Sequence, residues 1–402
     1  VNKVLILCNK GGEYNEFMLV HGFRELLGAA NVICYPFRNS FYKHVDIYPD
    51  RYVGDKCYLG EGFTELWNDP KLWRLWEPQR STAHVPLAFS HPESISVPMI
   101  DLPRWGFDDV LSAIRSGEIR LVILSSPRWF NSSALHELMT RLGKQMPPFV
   151  MVDGEDYPQL RWDFIDKLRP TVYFKRTFLR EVTPDMHVVP SLKGLTPLVP
   201  LPLSSMWKLP YKPWKDRSID VLCMFRATHK LRGAILEIVN SLCHNKTGLR
   251  YRTELGGEVD HEEYMRLLSE AKVVIDHQPV GTDTVRTWET FSCGSCLVSD
   301  LHIAMEEPFL PDQHFIKVPF EEDDLENVRW GHDTKLNIPK KLHNYETVIK
   351  RVLEDVDALE PLGLAAHTLL QQHHTTSARA KTVIRNAMQH GIEVGTLSQV
   401  LA

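Results

Sequence analysis

The chain has 402 residues, more than one ordinary core accommodates and comfortable for two. Apolar residues make up 43 % and charged residues 24 %, which excludes a disordered chain, and the net charge of −5 gives no support to a surface that binds nucleic acid throughout, although a local basic groove stays open. Seven scattered cysteines, an odd number, argue against a disulfide framework and for a reducing compartment.

The chain opens VNKVLILCNKGG, an apolar run too short for a signal peptide, and no stretch approaches the ~20 apolar residues of a membrane span. No basic amphipathic helix argues for a membrane surface either, so the expectation is a soluble, cytoplasmic protein. Val4–Cys8 is β-rich and apolar. Helical spacing follows over Glu16–Leu27 through Phe17, Val20, Phe23 and Leu27, and a second strand over Asn31–Pro36. This β–loop–α–β unit predicts the start of a parallel sheet. Residues 41–104, rich in Tyr, Trp, Pro and His and without a clean period, read as a long insertion. The alternation resumes with a helix near Asp108–Ser116, a strand Ile119–Leu124, a helix Ser133–Leu142 and strands Pro148–Val152 and Thr171–Lys175.

Pro184 to Pro213 carries seven prolines and no regular pattern, which suits a hinge. Beyond it the predicted strands are Ile219–Met224, Leu249–Leu255, Val273–Asp276, Cys296–Ser299 and His314–Val318. The predicted helices are Arg232–Leu242, His261–Glu270, Val285–Phe291, Tyr345–Leu359, Pro361–Gln372 and about Ser377–Gln389. Two α/β units joined by a hinge predict an enzyme with a central cleft, because ligands of open α/β sheets bind beyond the carboxyl ends of the strands. The expected division is one unit over 1–205 and a second over 206–376, with the last helix, within 377–402, packing back on the first.

Four loops at strand ends carry candidate chemistry. After the first strand, Gly11 and Gly12 let the backbone approach a ligand, with Glu13 and Glu16 as acceptor-side candidates, although an ordinary tight turn reads equally well. Asp153, Glu155 and Asp156 follow the strand FVMV. Carboxylates so close repel, which would raise one pKa toward the range of a general base. Arg226, His229, Lys230 and Arg232 gather positive charge where a helix begins, a setting suited to phosphate. Thr282, Asp283 and Thr284 form a polar loop before the helix that carries Arg286 and, one turn on, Glu289. That carboxylate could accept both hydroxyls of a ribose. In the insertion, Trp67, Trp73 and Trp76 stand near Arg74 and Arg80 and serve either a small local core or stacking on a ligand. Cys293 and Cys296 have the CxxC spacing of a redox motif, yet they span a helix end with Gly294 at the corner, and two small buried side chains are the simpler reading. There is no dinucleotide fingerprint, Walker loop or GxSxG elbow, and His373–His374 lacks partners at zinc-ligand spacing, so no metal site is expected.

The segment RTWETFSCGSCLVSD, Arg286 to Asp300, resembles the R-x-F/W-E-x4-G-x5-D segment of GT-B glycosyltransferases, nearest to the spore-maturation-type (CgeB-like) and group 1 branches. HEEYMRLLSEAKVVID before it and His374-Thr375 with Arg379 after it extend the likeness, and VDGEDYP and VYFKR resemble segments of the first domain in the CgeB-like branch. The resemblance implies two Rossmann-like domains facing a cleft, with a C-terminal helix crossing back to the first. It also implies transfer from a UDP- or GDP-sugar without a permanently bound cofactor or metal. On this likeness Glu289 holds the ribose and Arg226, Lys230 and Arg232 the diphosphate. Gly281 stands where many retaining members have a second glutamate, so Thr282, Asp283 or Thr284 takes the sugar contacts. Retention and inversion both stay open, and inversion would need a base such as Asp153, Glu155 or Asp156. The acceptor stays open among a glycan, a protein and a modified base. The alternatives are a phage-type DNA-base glycosyltransferase, which the negative charge disfavours, a sugar-nucleotide epimerase, and a non-catalytic module that binds a sugar nucleotide or glycan.

Overall fold

Several strands of this chain are apolar along nearly their whole length. Such strands need cover on both faces, which in an α/β protein means parallel pairing between helices. The computed structural model describes residues 2–8, 14–35, 105–125, 129–180, 196–205, 209–226, 229–256, 259, 261–278, 283–325 and 336–401. The insertion at 41–104, with its tryptophans and arginines, lies outside the described residues. So do Gly11, Gly12, Glu13, Gly281 and Thr282, and much of the expected hinge.

The first sheet is built from β1 (Lys3–Leu7), β2 (Val32–Tyr35), β3 (Ile119–Ser125), β4 (Phe149–Asp153), β5 (Val172–Lys175) and β6 (Leu198–Pro200). Helices α1 (Tyr14–Leu27), α2 (Phe107–Arg115), α3 (Trp129–Leu142) and α4 (Trp162–Leu168) connect them. Strand order is β2–β1–β3–β4–β5–β6, all parallel, with Val4 registered against both Val32 and Leu121. Side chains alternate between faces. Val4 and Ile6 join Phe17 and Phe23 of α1, whereas Leu5 and Leu7 join Val110 of α2 and Leu138 of α3.

The second sheet contains β7 (Ile219–Phe225), β8 (Tyr251–Leu255), β9 (Ala271–Ile275), β10 (Cys296–Ser299) and β11 (Ile316–Lys317). Its order, β11–β10–β9–β7–β8, is again wholly parallel. The connecting helices are α5 (Lys230–His244), α6 (His261–Glu270) and α7 (Val285–Ser292), followed by α8 (Ile338–Glu354), α9 (Glu360–His373) and α10 (Thr376–Gln389). Counted from its own first strand, the first sheet runs 2-1-3-4-5-6 and the second 2-1-3-4-5. Each therefore has one switch point, β1/β3 and β7/β9, where a crevice opens beyond the carboxyl ends.

The carboxyl ends of the two sheets meet. Arg176, just past β5, donates through Nη2 to the Asp283 carbonyl past β9, and the Ala304 amide past β10 donates to the Phe178 carbonyl at 2.9 Å. The last helix returns to the first unit. Here α10 crosses α1 so closely that a Cβ on Gly22 would lie 2.1 Å from the Thr376 carbonyl oxygen, and Ser377 Oγ bonds Glu25. The chain end closes on its start, with the Asn2 amide donating to Thr396 Oγ1 at 2.8 Å. This is the GT-B arrangement: two Rossmann-like units facing one cleft.

Three differences from the expectations have a clear physical reason or were wholly unforeseen. α4 was not expected. β6 forms inside the proline-rich stretch, at a sheet edge, where a missing amide is tolerated. α8 begins at Ile338 and not at Tyr345, because Pro339 occupies its first turn, where no amide partner is needed, and Asn337 caps it through the Lys340 amide at 3.2 Å.

The CxxC stretch is a corner. Gly294 turns with φ +67° between α7 and β10, and a Cβ there would lie 2.6 Å from the Tyr211 ring. The buried Arg217 guanidinium fastens it, donating to the Cys293 carbonyl at 2.7 Å, the Gly294 carbonyl at 3.2 Å and Ser295 Oγ at 2.9 Å. Burial pushes both thiols up to about 12, which removes the thiolate that redox exchange requires.

Candidate active site

The crevice at the β7/β9 switch point is polar to an unusual depth. Directly after β9 come Asp276, His277 and Gln278, all buried. Each turns to a different neighbour. Asp276 meets Arg286 Nη1 at 3.2 Å and accepts from Thr284 Oγ1 at 3.1 Å. Gln278 reaches Thr287 Oγ1 at 3.0 Å and Asp276 Oδ2 at 3.3 Å. His277 Nδ1 lies 3.1 Å from Asp300 Oδ2, just past β10.

Asp300 collects the donors of this corner. Its oxygens accept from the Gln278 amide at 3.0 Å, Tyr345 Oη at 2.9 Å and Lys341 Nζ at 3.1 Å. Burial alone would raise its carboxyl. Lys341 and His277 outweigh that and hold it well below the usual carboxylate range. Lys341 is itself raised, because Asp300 and Asp324, the latter at 2.8 Å, overcome its desolvation.

Positive charge converges on the same crevice. Arg226 is exposed just past β7, and His229 caps α5, its Nδ1 accepting from the Leu231 amide at 3.3 Å. Lys230 opens α5, its side chain lying outside the described ones. Arg232 is buried and donates to the His277 carbonyl at 3.3 Å. The guanidinium carbons of Arg232 and Arg286 stand 5.4 and 5.5 Å from the Phe225 ring centre, so two cations share one aromatic side chain. Arg286 also donates to Tyr264 Oη at 3.0 Å, and its ionisation is raised although burial opposes it. Glu289 is buried one turn on, and its charge acts on both Arg286 and Tyr264.

The carboxylates after β4 do not face one another, as mutual repulsion would have it; each faces a cation. Asp153, fully buried, accepts from Lys175 Nζ at 2.9 Å, from Tyr173 Oη and from the Glu155 amide at 2.9 Å. Glu155 lies 3.6 Å from Arg161, and the half-exposed Asp156 lies 2.6 Å from Arg176 Nη1. Burial lowers the Lys175 ammonium, against the pull of Asp153, and raises the Tyr173 phenol.

Asp283 sits in the joint between the units. It accepts from the Leu203 amide at 2.7 Å and Trp288 Nε1 at 2.6 Å, with Arg176 Nε at 3.7 Å. Burial raises its carboxyl, and Arg176 partly offsets this. Beside it Arg379 donates to the Pro202 and Leu203 carbonyls at 3.0 Å and to His374 Nδ1 at 2.8 Å. That bond fixes the tautomer: His374 Nε2 carries the proton and donates to the Glu307 carbonyl at 2.7 Å. The His374…Arg379 tail thus clasps the connection between the units. Glu16 is fully buried in the first turn of α1. Among the described residues no group of His, Cys, Asp and Glu is arranged to hold a metal ion, and no helix is long and apolar enough to cross a membrane.

His277, Gln278, Lys341 and Tyr345 were not among the expected site residues. Their one signal in the sequence was position: His277 and Gln278 directly follow the strand VVID. Lys341 and Tyr345 come from a helix some forty residues past Asp300, and no local pattern links them to it.

Residues 226–385 match the model of a family described as Glycosyl transferase-like. No curated protein matches the chain. Among solved structures it is similar to the pneumococcal O-GlcNAc transferase GtfA in complex with UDP and GlcNAc, at 11 % identity over 72 % of this chain and 61 % of that one (TM-score 0.42). It is also similar to sucrose-phosphate synthase from Thermosynechococcus elongatus, at 11 % identity over 97 % and 99 % (TM-score 0.46). A third is alpha,alpha-trehalose 6-phosphate synthase from Burkholderia multivorans, at 9 % identity over 97 % of each chain (TM-score 0.46). The chain spans 61 % of the length of the GtfA chain. These likenesses concern the course of the chain and not its chemistry.

Proposed function

We propose that the protein is a glycosyltransferase that moves a sugar from a UDP- or GDP-sugar, held in the β7/β9 crevice, to an acceptor on the first unit. The observation that carries this reading is the cationic switch point: Arg226, Arg232 and Arg286 gather at the carboxyl ends of β7 and β9 beside the start of α5, inside the segment that matches the family. A diphosphate seeks this combination of guanidinium forks and a helix N-terminus. Arg226, His229, Lys230 and Arg232 take the diphosphate in this account, and Glu289 with Arg286 the ribose. Thr282 and Thr284 take the sugar contacts in this account, while Asp283 stands in the joint. The same cations stabilise the phosphate as it departs, a role that a metal ion fills in other folds.

For an inverting transfer the base comes from the loop after β4. Asp156, half-exposed, is the most accessible of the three candidates, and Asp153 acts through Lys175 and Glu155. Glu16, with Gly11, Gly12 and Glu13, serves the acceptor in this account. Within GT-B transferases the CgeB-like branch is the finer assignment, resting on the Arg286–Asp300 segment.

The test is donor hydrolysis. Incubated with UDP- and GDP-sugars and no acceptor, the protein should slowly release nucleoside diphosphate, and Arg286→Ala and Glu289→Gln should abolish the release. Absence of release from every donor, together with no thermal stabilisation by UDP or GDP, refutes the reading.

A further inference from the structure

His277 has one edge fully engaged and one edge idle. Its ring is 3 % exposed. Nδ1 meets Asp300 Oδ2 at 3.1 Å, with Tyr345 Oη at 3.3 Å. Nε2, on the opposite edge, is closed off from water and has no hydrogen-bond partner. A buried polar nitrogen without a partner costs about 1–3 kcal/mol, so its place calls for an explanation. The surroundings supply one. The ring lies 5.1 Å from that of His229, the cap of α5, and the His277 carbonyl holds Arg232.

The proton positions follow from the partners. Asp300 is kept ionised by Lys341 and can only accept, so Nδ1 carries a proton. Two carboxylates, Asp300 and Asp324, face one lysine, Lys341, in this pocket. An arriving phosphate, anionic and an acceptor only, draws a second proton onto Nε2. The other polar groups facing the ring are Tyr345 of α8 and His229 and Arg232 of α5.

We propose that His277, oriented by Asp300, is a further catalytic residue of the transfer, its Nε2–H donating to the diphosphate oxygen that departs from the sugar. The inference rests on the glycosyltransferase reading above. In the step the bond from C1 to the phosphate oxygen breaks and its electron pair goes to that oxygen. The acceptor hydroxyl oxygen bonds to C1, and its proton leaves to the base or to water. The Nε2 proton stays on the ring and stabilises the new charge. Asp300 acts as the positioning residue.

The experiment combines nitrogen-15 NMR of histidine-labelled protein with kinetics. On adding UDP or GDP, the His277 Nε2 resonance, assigned by its loss in His277→Gln, should move to the protonated position and couple to phosphorus. His277→Gln should lower kcat on the order of 10²-fold with donor KM little changed, as for loss of one oxyanion donor. Asp300→Asn should lower kcat less and shift its pH profile. Nucleotide binding that leaves the His277 signal unmoved, or a folded His277→Gln with full kcat, overturns the proposal. If His277→Gln does not fold, the NMR result on the unaltered protein decides. If the unaltered protein neither binds nucleotides nor hydrolyses donors, the glycosyltransferase reading falls, and this inference with it.

Discussion

Arg379→Ala should be among the most damaging single changes in this chain, although Arg379 lies outside the cationic crevice. Its buried guanidinium satisfies three acceptors: the Pro202 and Leu203 carbonyls at 3.0 Å and His374 Nδ1 at 2.8 Å. Each acceptor left without a donor costs about 1 kcal/mol or more. Asp283 also loses one of two nearby cations, and breaking a buried pair outright costs about 3–5 kcal/mol. Arg176, the Leu203 amide and Trp288 still hold Asp283, so only part of that is lost. Against the loss stands relief of Arg379's own desolvation, which brings its ionisation down to about 10. The balance is about 3–4 kcal/mol, which at ~2.1 cal/mol/K per residue lowers the unfolding midpoint of this 402-residue chain by about 4–5 °C. Thermal unfolding followed by near-UV circular dichroism, which sees the buried Trp288 beside Arg379, measures it. Arg379→Lys should recover only part, since a point charge cannot serve three acceptors in a fork. An alanine variant melting within about 1 °C of the unaltered protein would refute the view that this residue clasps the two units, because it implies under ~1 kcal/mol.

Acidification should destabilise the protein well above the carboxylate range. His21 is lowered to about 3 and His374 to about 2, chiefly by burial and further by Arg24 and Arg379 respectively. With folded values below the unfolded ~6.5, the unfolded state binds more protons, so stability rises with pH in that window. Their contribution is complete above about pH 6.5 and is lost as pH falls toward 3 and 2, by up to ~1.4 kcal/mol per unit for each histidine, as denaturant midpoints between pH 7 and 5 would show. A flat profile there contradicts the neutral buried assignment. Asp153→Asn and Asp156→Asn should separate structure from chemistry. The first strands the buried Lys175 and should cost about 3 kcal/mol of stability, while the second should leave the midpoint within ~0.5 kcal/mol and reduce turnover. A doubly substituted protein with full turnover removes this loop as the source of a base.

The sequence made the strands and most helices legible because buried parallel strands are apolar runs and their helices show a clean period. His261–Glu270 and Cys296–Ser299 have the bounds that periodicity assigns. It failed where local chemistry is overridden by context. β6 hides among prolines that an edge tolerates, and the first two turns of α8 hide behind Pro339. The candidate site divides in the same way. Arg226, Arg232 and Arg286 could be picked out because charge at a strand end is conspicuous in one dimension. The Asp300–Lys341–Tyr345 cluster could not, because its members meet only through the fold. The carboxylates after β4 show the converse error. Their spacing suggested repulsion, yet Lys175, Arg161 and Arg176, from elsewhere in the unit, pair with each of them.

The central claim is that the β7/β9 crevice holds a nucleoside diphosphate, and titration calorimetry with UDP and GDP tests it most directly. The account predicts saturable one-to-one binding of one of the two, weakened on the order of 10-fold or more by Arg286→Ala, which removes a charge-assisted contact, and unaffected by Arg266→Ala on the exposed face of α6. Binding of neither nucleotide, or binding that Arg286→Ala leaves intact, would contradict it.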